Sequence, residues 1–100
     1  MSRPYYSDYV KHALRFYSRN CSEKPIFKSD VDKNNWLACD SVFKGYDVDT
    51  RKLLLTVYSG YDTLPDEVYN ASKMWHIDQN RIWDIMKEIE RKIAKRRGLL

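Results

Sequence analysis

Gln79, Asn80 and Arg81, with Asp84 one turn further on, bring together the side chains best suited to reading the edges of base pairs. Asn and Gln pair bidentately with adenine, Arg pairs with guanine, and a carboxylate accepts from the cytosine amine. Asp78, immediately before them, suits a different task. It stands at the start of an apolar-periodic run, where its carboxylate can accept bonds from the otherwise unpaired first amides of a helix. Lys87, Arg91 and Lys95 follow at helical spacing, and Lys73 lies upstream. Cations so placed suit phosphate contacts, which supply salt-dependent affinity and little sequence choice. Arg96 and Arg97 have a second use, complementing the dipole at the end of the same helix.

A rigid helix must carry these groups, and the spacing provides one. Ile82, Ile85, Met86, Ile89 and Ile93 repeat every three or four residues. On a wheel of about 100° per residue this stripe leaves Asn80, Asp84, Lys87, Arg91 and Lys95 on the far side, with Gln79, Arg81 and Trp83 flanking. The helix is predicted from Asp78 to Arg97. A supporting helix precedes it from Thr63 to His76, with Thr63 as N-cap, Pro65 in the first turn, and Leu64, Val68, Ala71, Ser72 and Trp75 facing inward. His76, Ile77 and Asp78 form the turn. A short helix, a tight turn and a longer helix with a polar leading edge is the arrangement by which a helix-turn-helix delivers side chains into a DNA groove.

Three further helices are predicted upstream. The first opens at Pro4 and ends near Asn20, with Tyr6, Tyr9, Val10, Ala13, Leu14 and Tyr17 inward and Asp8, Lys11, Arg15 and Arg19 on the opposite side. The second begins at Ser29, capped with Asp32 three residues on, and lines Asn35, Trp36, Cys39, Val42, Phe43 and Tyr46 along one face before Gly45 and the Asp47–Asp49 cluster end it. The third runs from Asp49 or Thr50 through Tyr58, with Gly60 as its stop. The reading is all-α: one five-helix domain over residues 1–100, with residues 1–48 an N-terminal helical pair and 49–100 the helix-turn-helix part. The tyrosine-rich first helix is a candidate dimer contact.

Charge is unevenly distributed. The total is +4, from 18 basic and 14 acidic side chains. Residues 1–28 carry 6 basic and 2 acidic groups, residues 29–67 carry 4 and 8, and residues 68–100 carry 8 and 4. Two basic ends flank an acidic middle, compatible with a polyanionic partner. Within the last helix Asp84 with Lys87, and Glu88 with Arg91 or Lys92, are spaced to pair with each other, the ordinary property of a solvated surface helix. Trp83, beside the apolar stripe, fits packing against a neighbouring helix better than stacking on a base.

Other classes find little support. Cys21 and Cys39 lack CxxC spacing and fit reduced thiols in a cytosolic protein. His12, Cys21, Cys39 and His76 do not share the close spacing that zinc sites favour, so no metal or cofactor is expected. The longest aliphatic run is Leu53 to Leu55, far short of a membrane span, and no apolar signal core follows Met1. No Gly-rich phosphate loop, no HExxH and no locally activated nucleophile points to an enzyme.

The segment from Thr50 to Gly98 resembles region 4 of sigma-70-type factors and the small sigma-like regulators of phages and mobile elements, the RinA and ArpU types. Thr50-Arg51-Lys52-Leu53-Leu54-Leu55 resembles the helix before that family's turn, and Ile77-Asp78-Gln79-Asn80-Arg81-Ile82-Trp83-Asp84-Ile85 its turn and recognition start. The resemblance implies transcriptional control through promoter DNA, with RNA polymerase as a further partner. It has two departures. The supporting helix is about a turn longer than the family's, and His76 stands where the family has a turn glycine. The backbone there must use a less strained turn or hold a non-glycine residue in the left-handed region. A packaging or recombination accessory factor with the same fold is a second expectation. A module that docks its amphipathic last helix in a partner protein's groove is a third.

Overall fold

The computed structural model describes residues 5–21 and 25–100. It is all-α, with five helices and, among the described residues, no strand: α1 Ser7–Arg19, α2 Asp30–Phe43, α3 Val48–Ser59, α4 Leu64–Trp75 and α5 Gln79–Arg96. Pro4, expected to open the first helix, lies outside the described residues.

Each helix buries one apolar stripe. α1 lies against α2 and α3, α3 against α4, and α5 against α2, α4 and α1. The centre is filled by Val10 and Leu14 of α1, Phe43 of α2, Leu54 and Tyr58 of α3, Val68 of α4, and Ile82, Ile89 and Ile93 of α5. Tyr17 tilts against Phe43 and Trp36 at centroid distances of 4.9 and 5.3 Å, joining α1 to α2. Its hydroxyl donates to Asp40 Oδ1 at 2.9 Å. Burial, and then that carboxylate, hold the Tyr17 phenol above its ordinary pKa. Cys39 is sealed in the same layer and its thiol is pushed up to about 12, chiefly by burial, whereas Cys21 is partly exposed. Trp83 is partly buried and packs against the core.

Several local expectations need correction. Tyr9 is 41% exposed, its hydroxyl 3.2 Å from Asn35 Oδ1, because it stands at the margin of the α1 stripe. α3 begins at Val48, before Asp49 or Thr50. Its cap is Asp47, which accepts from the Thr50 amide at 3.2 Å and the Thr50 hydroxyl at 2.6 Å. Thr63 precedes α4 without capping it through its side chain; the hydroxyl donates to Asp66 Oδ2 at 3.0 Å instead. Arg15 and Arg19, placed on the outward side of α1, reach across to the end of α3. Arg15 donates to the carbonyls of Tyr58, Gly60 and Asp62, and Arg19 to those of Ser59 and Gly60. Gly60 is extended there (φ −67°, ψ 162°), so α3 ends without the left-handed glycine turn that would have satisfied its last carbonyls.

Candidate nucleic-acid interface

α5 is held at its start by a cap and at its end by a glycine. Asp78 is extended (φ −60°, ψ 134°), and its carboxylate accepts from the Asn80 amide at 2.8 Å, so the aspartate is engaged at the helix start. At the far end Arg97 is the C-cap. The Leu99 amide bonds the Ala94 carbonyl at 2.8 Å, the Gly98 amide bonds the Lys95 carbonyl at 3.2 Å, and Gly98 is left-handed at φ 73°. This is a Schellman ending.

The turn between α4 and α5 consists of His76, Ile77 and Asp78. His76 takes the left-handed conformation (φ 54°, ψ 46°), so the departure from glycine is met by strain and not by a different turn. Ser72 locks the geometry. Its carbonyl accepts from the amides of both His76 and Ile77, and its hydroxyl donates to the Ile77 carbonyl at 2.6 Å. The sequence placed Ser72 in a buried stripe; a small polar residue four before the turn was the signal for this second role. Left-handed backbone costs an L-residue roughly 1–2 kcal/mol, of which glycine's greater freedom when unfolded returns roughly 0.5–1. His76→Gly is therefore expected to stabilise the fold by about 0.5–1 kcal/mol in denaturant titrations and His76→Val to destabilise it. A destabilised glycine variant would count against the left-handed turn.

The polar residues of α5 divide by direction. Asn80, Asp84, Lys87, Arg91 and Lys95 are all exposed, and their spacing sets them in one strip opposite the buried face formed by Ile82, Met86, Ile89 and Ile93. Gln79 and Arg81, though also exposed, are about 200° apart around the helix and leave the strip on opposite flanks. Arg81 lines a cleft of about 460 Å³ together with Asp49, Thr50, Trp75, His76 and Asp78. Gln79 lies on the Trp83 side. Lys73, on α4, is exposed and its ammonium stands 4.6 Å from the centroid of the Tyr69 ring.

Of the ion pairs the spacing allows within α5, Glu88 with Lys92 forms, at 3.0 Å. Tyr46 donates its hydroxyl to the same carboxylate oxygen at 2.8 Å, and the Lys92 ammonium lies 4.6 Å over the Tyr46 ring. Lys92 and Tyr46 together hold the Glu88 carboxyl below its usual range, and Glu88 holds Lys92 above its own. Among the described residues no ion pair engages Lys87, Arg91 or Lys95. Their charge is presented to solvent, in contrast to Arg15 and Arg19 at the other basic end. No three His, Cys, Asp or Glu side chains among the described residues converge as metal ligands would, and no helix there is long and apolar enough to cross a membrane. Comparison with models of known families, with curated proteins and with solved structures gave no match.

Proposed function

We propose that this chain binds duplex DNA through α5 as a sequence-specific regulator of transcription of the phage or mobile-element type, using α4 and α5 as a helix-turn-helix. The observation that carries the reading is the exposed strip Asn80, Asp84, Lys87, Arg91 and Lys95, whose cations have no ion-pair partner among the described residues. Helix-turn-helix docking, in which the N-terminal residues of the recognition helix meet base edges, supports a division of roles along the 18-residue α5. Asn80 and Asp84, with Arg81 and Gln79 at the flanks, read bases. Lys87, Arg91 and Lys95, with Lys73 beside the turn, meet phosphates. Asp66 and Glu67 in the first turn of α4 repel phosphates, which confines the contribution of α4 to Lys73 in its last turn and leaves α5 most of the contact.

Purified protein titrated into labelled random-sequence duplex tests the reading. These four phosphate contacts give a log–log salt slope of magnitude at least about 3.6 and an affinity loss of at least about 100-fold between about 50 and about 200 mM salt. Absence of binding at the lower salt would overturn the assignment and favour a protein partner for the amphipathic helix. Selection of bound sequences from the same pool separates regulator from accessory factor by the kind of site recovered, and a palindrome would report a second copy of the chain.

A further inference from the structure

A second basic feature of α5 lies off the strip. The corner between α2 and α3 and the C-terminal part of α5 border an open groove of about 580 Å³ lined by Val42, Gly45, Lys92, Lys95 and Arg96. Every charged side chain in that lining is a cation, and all three are exposed. We propose that this groove seats the sugar–phosphate backbone of one strand of the duplex that α5 reads, an inference that rests on the DNA-binding reading.

Three observations point to an extended polyanion. Lys95 belongs both to the groove and to the outward strip, so a strand leaving the strip enters the groove without a break in positive charge. Gly45 keeps one wall low. A Cβ there would meet nothing nearer than the Val42 carbonyl oxygen at 3.4 Å, so the groove is open to a backbone passing over it. Lys92 is held in place before any ligand arrives, bonded to Glu88 and lying over the Tyr46 ring, which reduces the ordering cost of a contact. Glu88 partly neutralises Lys92. Lys95 and Arg96, for which no ion pair is found among the described residues, supply the unpaired charge.

The test uses the full chain with two substitutions, Arg96→Gln and Gly45→Asp, the second placing a carboxylate in the groove where the backbone leaves room for it. Random-sequence duplex is titrated across a salt series, polyglutamate is titrated separately, and thermal midpoints are recorded for each variant. Arg96→Gln is expected to reduce the magnitude of the salt slope by about 0.9, equivalent to about 8-fold in affinity near 0.1 M salt, and Gly45→Asp to weaken binding by at least as much. Both should melt with the wild type; should Gly45→Asp unfold, the slope for Arg96→Gln decides alone. Wild-type slope and affinity in Arg96→Gln would overturn the groove while leaving the DNA reading intact. Loss of polyglutamate binding with DNA binding retained would overturn it in favour of an acidic protein segment. A wild-type chain that fails to bind DNA would remove both.

Discussion

Replacing Lys87, Arg91 and Lys95 together by alanine is expected to flatten the salt dependence of DNA binding by about 2.7 in log–log slope and to lower affinity a few hundred-fold near 0.1 M salt, equally for all sequences. The magnitude follows from three cations, each displacing one condensed counterion. The uniformity follows from their position on the strip, C-terminal to the residues placed at base edges, where contacts go to phosphates. Arg81→Ala and Asn80→Ala should behave differently, each relaxing discrimination at one base pair by about 1–3 kcal/mol with the slope nearly intact. All five side chains are exposed and outside the core, so circular dichroism and thermal midpoints should match the wild type. A triple variant that kept the wild-type slope would remove the strip from the interface.

The strip was legible because everything that defines it is local. A repeat of isoleucines at three and four residues fixes the buried face of α5, and the polar face follows by rotation alone. The Asp78 cap was legible for the same reason, since an N-cap acts on amides within three residues of itself. Choices between equivalent local partners were not. The Thr63 hydroxyl had the α4 amides and the Asp66 carboxylate within reach and bonds the carboxylate. Ser72 had burial and the turn open to it and serves the turn. Contacts closed across the chain were invisible altogether: Asn35 Oδ1 gathers both the Tyr9 hydroxyl and Arg97 Nε, the latter at 2.6 Å, and nothing within a helical turn of Asn35 signals either. Two basic ends look alike in composition, yet Arg15 and Arg19 are spent on carbonyls at the end of α3 whereas no ion pair among the described residues engages Lys87, Arg91 or Lys95.

Arg15→Met is expected to lower stability by about 2–3 kcal/mol, which for a domain of this size is a fall in thermal midpoint of roughly 10–20 °C. Methionine retains the apolar stem, so the loss isolates the guanidinium. That group is half-buried and donates to three carbonyls, Tyr58 at 3.5 Å, Gly60, and Asp62 at 3.1 Å, at the point where α3 stops on an extended glycine. Helix ends leave carbonyls without intrahelical donors and carry partial negative charge, so a cation here answers both needs at once. Arg19 meets the same end of the helix from a more exposed position, at 2.8 Å from the Gly60 carbonyl, with its guanidinium 4.3 Å over the Tyr61 ring. Arg19→Met alone should cost about 1 kcal/mol. Because both arginines converge on the Gly60 carbonyl, the double substitution should depart from the sum of the singles. Neither variant should alter the salt slope of DNA binding. A change in that slope would move α1 into the interface, and an Arg15→Met chain as stable as wild type would mean that water serves the end of α3 equally well.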